Sequence, residues 1–205
     1  MKLLVVGGHS RNIGKTSVVV AIISAFPEVN WTAAKITQYG PGVCPINGES
    51  CGCAVDEHAF AITEESDANG AGDTCRFLAA GARRSFWVRT KRGRLAEAVP
   101  GLRQALAGGE NVIIESNSLL KFIRPTLYLV VLDPGVEDFK ASSREFLDHA
   151  GAFLLRSPLA GQSPWPPIPP ELFFSKPTFL LEENRFFSAE VRDFVAAKFL
   201  GSCDA

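Results

Sequence analysis

Val5-Val6-Gly7-Gly8-His9-Ser10-Arg11-Asn12-Ile13-Gly14-Lys15-Thr16 is the stretch whose reading decides the fold. An apolar strand, Leu3 to Val6, runs into a glycine-containing loop. The loop runs into a helix that opens with Gly14-Lys15-Thr16-Ser17 and continues as an apolar stretch to Phe26, before Pro27. Phosphate chemistry needs this order. Successive backbone N–H groups of such a loop point inward at phosphate oxygens, and the helix N-terminus adds unsatisfied donors and the positive end of its dipole. Lys15 brings a point charge to the outer phosphates, and the Thr16 hydroxyl suits Mg²⁺. The spacing is G-x5-G-K-T, counted from Gly8. The standard G-x4-G-K-[ST] would need glycine at the position of His9. The nucleotide-binding segment is therefore read as Gly8, His9, Ser10, Arg11, Asn12, Ile13, Gly14, Lys15, Thr16 and Ser17. His9 itself reads as a loop residue that tolerates an unusual backbone angle, or else one that stacks or touches phosphate.

Outward from the loop, apolar runs and helical stretches alternate. Strands are expected near 30–37, 85–90, 111–115, 126–132, 153–155 and 178–181. Helices are expected from Asp73, as N-cap, to about Gly81, from about Val99 to Gly108, over 139–149 and over 189–200. Pro100 is tolerated only in a first helical turn, which sets the start near Val99. This alternation predicts an α/β fold of three layers, a mostly parallel sheet with helices on both faces. Residues 1–205 read as one domain, with an irregular cysteine-containing insertion at about 38–72 and a proline-rich stretch at 158–170.

A nucleotide site of this type needs a carboxylate at the end of a neighbouring strand to hold Mg²⁺. Asn111-Val112-Ile113-Ile114-Glu115 supplies one, with Asp133 at the end of a later strand as competitor. Ligands of open parallel sheets sit outside the carboxyl ends of the strands. That rule brings in Lys35 and Thr37 as well, with Lys35 able to neutralise the γ-phosphate or hold an anionic substrate. Lys15, Lys35 and Glu115 are the expected catalytic residues, and Thr16 and Glu115 the expected Mg²⁺ ligands.

Composition narrows the partners. With 21 Lys+Arg against 22 Asp+Glu the net charge is −1, which gives no support for nucleic-acid binding. No apolar run approaches the ~20 residues of a membrane span, and the N-terminus does not read as a signal peptide. The five cysteines cannot all pair, which fits a reducing, cytoplasmic compartment. Three of them, Cys44, Cys51 and Cys53, lie in the irregular insertion. With His58 or Cys75 as fourth ligand they would make a closed zinc site; three free thiols are the other reading.

These motifs together resemble the class of P-loop proteins that includes dethiobiotin synthetase and the cobyrinic acid amidating enzymes. The segment Asp73-Thr74-Cys75-Arg76-Phe77-Leu78-Ala79-Ala80-Gly81-Ala82 resembles the Asp-Ser-x-Arg-x-x-x-Ala-Gly-Ala stretch of the molybdopterin-guanine dinucleotide biosynthesis protein B (MobB) family. Arg11 and Asn12 match the Lys-Asn of that family's loop, Lys35 the Lys of its Lys-His, and Glu115 the Glu of its Val-Glu-Gly. Ile36 stands for the histidine and Ser116 for the glycine. The resemblance covers residues 1 to about 133. It implies GTP binding with weak hydrolysis, a homodimer, and support of a guanylyltransferase in molybdenum-cofactor assembly. No Asn-Lys-x-Asp motif for guanine is present, so GTP over ATP rests on the resemblance. Two other readings stand beside it: an ATP-dependent ligase that activates a carboxylate, and a metal-binding adaptor that only senses nucleotide.

Overall fold

The computed structural model describes residues 1–40, 59–159, 165, 168–169, 171–181 and 185–201. One eight-stranded sheet organises them. Its strands are β1 (Lys2–Gly8), β2 (Trp31–Tyr39), β3 (Phe60–Glu64), β4 (Arg84–Lys91), β5 (Asn111–Glu115), β6 (Leu127–Leu132), β7 (Ala152–Leu155) and β8 (Thr178–Leu180). They lie in the order β3-β4-β2-β5-β1-β6-β7-β8. Every neighbouring pair is parallel except β3 with β4. β1, the strand that feeds the loop, is central, and all its residues after Lys2 are buried. A short parallel strand covered on both faces needs no polar alternation, which is why its sequence is a plain apolar run.

Helices cover both faces. α1 (Lys15–Ala25), α2 (Asp73–Ala79) and α6 (Ala189–Val195) pack on one, and α3 (Leu95–Ala105) and α5 (Glu171–Phe174) on the other, while α4 (Ala141–Arg144) follows β6. Strand alternation splits the core in two. Leu4, Val6, Ala33 and Ile113 face α1 with Val18, Ile22 and Ile23, while Leu3, Val5, Val112 and Ile114 face α3 with Leu95 and Leu102. The result is the expected three-layer α/β architecture.

Several expectations need correction. The insertion is not irregular throughout, since β2 runs on to Tyr39 and 60–64 form β3. β3 is an antiparallel edge strand without a fully buried residue, so its alternation is faint in sequence. α3 begins at Leu95, not near Val99, and carries Pro100 inside it. Pro100 and Ala96 are exposed, so the Ala96 carbonyl that loses its N–H partner is left to water. The helix expected over 139–149 breaks into α4 and a 3-10 turn, Leu147–His149, because the Phe146 backbone leaves the helical region at φ −120°. Asp73 is the first helical residue of α2 and Gly72 its N-cap; the Asp73 carboxylate has another use.

Candidate functional site

The loop between β1 and α1 is held from below and from the side. The Gly8 N–H donates to Asn117 Oδ1 and the Asn117 amide donates back to the Gly8 carbonyl, both at 2.8 Å. A Cβ on Gly7 would lie 2.2 Å from Asn117 Oδ1, so only glycine lets the amide approach. His9 is fully buried. Its Nε2 accepts from the Asp133 N–H at 3.0 Å, so its proton sits on Nδ1 and is donated to the Asp138 carbonyl at 2.7 Å. Its ring lies between Phe139 and Trp165, with centroids at 5.1 and 4.8 Å. Burial pushes its pKa below 6.5. His9 is thus a bolt beneath the loop rather than a phosphate ligand, and its backbone angle is ordinary. The left-handed residues are Asn12 (φ 57°) and Gly14 (φ 94°). The Ser10 hydroxyl donates to Asp138 at 2.6 Å.

Gly14 is the N-cap of α1, and no side chain caps that helix. Its first amide groups are therefore available to an anion. Lys15 reaches back to the Ser10 carbonyl. Burial pushes its pKa down to about 8, against the Glu115 charge that raises it.

On the β5–β2 side of the loop the structure brings four side chains together. The Thr16 hydroxyl donates to Glu115 Oε2 at 2.6 Å. The Lys35 ammonium lies 3.2 Å from both Glu115 oxygens and from Thr16 Oγ1, and pairs with Asp73. Sheet register places them: Val6, Glu115, Lys35, Trp87 and Thr63 stand in one row across β1, β5, β2, β4 and β3. Two carboxylates share the Lys35 ammonium here, and Arg76 sets a second cation 3.5 Å from the Asp73 carboxylate, next to the Lys15 end of the loop. A hydroxyl and one or two carboxylates are the protein share of a Mg²⁺ site, whose other ligands are phosphates and water. Thr16 and Glu115 fit that role. Asp133 does not join them. Its backbone N–H serves His9, and its carboxylate accepts from the Gly135 N–H in a turn.

Asp73 and Asn117 were missed as site residues. Asp73 was visible as a helix-start acid, but nothing in the sequence pairs it with Lys35. Beside the cluster lies a cavity of about 450 Å³ lined by Lys35, Thr37, Glu65, Gly72, Asp73, Thr74 and Trp87. The Trp87 indole N–H donates to Thr37 Oγ1 at 3.1 Å. Glu65 orders its rim by accepting from the Thr74 hydroxyl and the Cys75 thiol.

Cys44, Cys51, Cys53 and His58, the zinc candidates, lie outside the described residues. Cys75 is buried near the start of α2, where its thiol donates to Glu65 Oε2 at 3.2 Å; burial and that hydrogen bond push its pKa up. Among the described residues no cluster of three or more His, Cys, Asp or Glu could hold a metal ion, and no helix is long and apolar enough to cross a membrane.

Fold and loop together define a class: the chain has the fold of P-loop NTPases. The sequence matches no protein-family model and no curated protein. Among solved structures, LpxK from Aquifex aeolicus, determined with ATP, is similar at a TM-score of 0.50 and 16% identity. The likeness covers 88% of this chain, which spans only 53% of LpxK. HypB from Helicobacter pylori, determined with nickel, has a TM-score of 0.46 at 12% identity over 95% of this chain and 86% of its own. MobB from Bacillus subtilis has 0.42 at 16% identity over 98% of this chain and all of its own. LpxK shows the fold alone, and the other two likenesses fall below the level that supports an argument.

Proposed function

We propose that the chain binds a Mg²⁺–nucleoside triphosphate across residues 8–17 and hydrolyses it slowly. The observation that carries this reading is the Thr16–Glu115–Lys35–Asp73 cluster beside an uncapped helix start and a half-buried Lys15. Lys15 and the loop amides bind the outer phosphates. They stay fixed as negative charge moves on the transferring phosphoryl group, which is electrostatic catalysis by preorganisation. Thr16 and Glu115 would hold Mg²⁺, which would supply charge neutralisation to the outer phosphates. No residue in the cluster is assigned to orient an attacking water, so turnover is slow without a partner.

GTP is the proposed nucleotide and molybdenum-cofactor assembly the proposed setting, with a cytoplasmic homodimer serving a guanylyltransferase. Support for these finer points is the resemblance at residues 73–82 and the matched Lys35 and Glu115. The experiment is calorimetric titration of Mg–GTP and Mg–ATP. Wild type is expected to favour GTP about tenfold or more, about 1.4 kcal/mol. Lys15→Ala is expected to lose measurable binding of both while its circular dichroism is unchanged. Retained affinity in Lys15→Ala sinks the site.

The cavity beside Lys35 favours a second reading, a ligase-type enzyme with an acid acceptor at Lys35 and Thr37. It predicts nucleotide consumption that depends on added acid.

A further inference from the structure

The Thr16–Glu115–Lys35 cluster lies on the β5–β2 side of β1, so a triphosphate laid along the loop with its metal end there points its nucleoside toward β6, β7 and β8. Two residues stand on that side against the loop. Arg156 follows β7 and is held there by its backbone N–H, which donates to the Leu132 carbonyl at 2.9 Å. The backbone N–H of the loop residue His9 donates to the Val131 carbonyl, also of β6, at 3.3 Å. Phe186 stands two residues before Ser188, the N-cap of α6, whose hydroxyl accepts from the Val191 N–H.

The Phe186 ring reaches the loop itself: a Cβ on Gly14 would lie 2.3 Å from it and 3.2 Å from Arg156 Nη1. The Arg156 guanidinium covers the ring at 4.1 Å from its centroid. Among the described residues no oxygen accepts from that guanidinium. Phe186 also holds φ 54°, the left-handed region, which a phenylalanine occupies at a cost. Phe186 thus holds a strained backbone angle with its ring at the end of the phosphate loop, faced by a guanidinium that has no oxygen acceptor among the described residues.

We propose that Arg156 and Phe186 hold the nucleobase, and that Arg156 selects guanine. The inference rests on the nucleotide reading above. A purine stacks on an aromatic ring or a guanidinium plane regardless of its identity. The guanidinium adds discrimination because it only donates. Guanine offers O6 and N7, two acceptors on one edge, whereas adenine offers N7 beside an amino donor. This assigns base recognition to residues outside any Asn-Lys-x-Asp motif.

The test is calorimetric titration of GTP, ATP and inorganic tripolyphosphate, each with Mg²⁺, against wild type, Phe186→Gly, Phe186→Leu and Arg156→Ala. Tripolyphosphate reads the loop alone. Glycine removes the ring and relieves φ, so that variant is expected to fold; leucine keeps apolar bulk without the π-face. Expected are a loss of tenfold or more in GTP affinity for Phe186→Gly and Arg156→Ala, an intermediate loss for Phe186→Leu, and tripolyphosphate affinity within twofold of wild type throughout. Arg156→Ala should also bring the GTP-to-ATP ratio toward one. GTP affinity unchanged in the variants overturns the seat. So does a parallel loss of tripolyphosphate, which would make the pair phosphate ligands. Wild type preferring ATP overturns the guanine assignment. Failure of wild type to bind even tripolyphosphate overturns the nucleotide reading beneath it.

Discussion

His9 sits where its neighbours accept only a neutral imidazole. One ring nitrogen must accept from a backbone N–H and the other must donate to a carbonyl. Burial lowers its pKa from 6.5, so the unfolded chain takes up a proton there before the folded chain does. The unfolded state then binds more protons, and folding stability falls as pH drops below about 6.5, with no contribution above it. His9→Ala is expected to cost about 3 kcal/mol at neutral pH, from two lost hydrogen bonds and a cavity between Phe139 and Trp165. It should also flatten the acid limb. Urea midpoints across that pH range check both. The residue at the missing glycine position was legible as an oddity, yet its role depends on Asp133, Asp138 and Trp165, all more than a hundred positions away.

At the scale of elements, strands were the most legible because an apolar run buried on both faces looks the same wherever the sheet places it. α3 was legible only in part. Proline in a first turn is the common case, and nothing local says that a helix begins a turn earlier and exposes the proline to water. Gly101, next to it, keeps α3 close to β3, since a Cβ there would lie 3.2 Å from Ile62. Pro100→Ala restores the N–H for the Ala96 carbonyl and is expected to stabilise the protein by about 2 kcal/mol. Thermal unfolding of the two chains checks it; a fall in Tm would mean the proline's restriction of the unfolded chain outweighs the hydrogen bond. In sequence the basic cluster Arg83, Arg84, Arg89, Lys91, Arg92 and Arg94 reads as a solvated strand end and helix start, with a site for an anionic small molecule as the other reading. In the fold Arg84 pairs with Glu64 at 2.6 Å and Arg94 with Glu97, while Arg89 stacks on Trp87, so much of its charge is used locally.

Over the whole molecule, the proposed ligand bridges elements that the chain visits far apart: the loop and α1, β5, β2 and the start of α2. Mg–nucleotide at about a hundredfold over its Kd is expected to add about 2.7 kcal/mol of stability. For a chain of this size that is a rise in Tm of roughly 5–10 °C. The rise should vanish in Lys15→Ala, which differential scanning calorimetry would show. A rise that survives in Lys15→Ala would place the nucleotide elsewhere on the molecule.

The sequence by itself determined the phosphate loop, the buried central strands and the alternation that makes a layered α/β sheet. These follow from periodicity and turn chemistry, which act within a few residues of one another. Tertiary structure decided what surrounds the loop. Strand order brought Glu115 and Lys35 into one row with Val6, and packing carried Asp73 to Lys35, Asn117 to Gly8, and Arg156 and Phe186 to Gly14. Those are contacts between residues tens to more than a hundred positions apart. Their partners are chosen by which strands pair and which helices cover them, and that choice is made by the burial of the whole sheet at once.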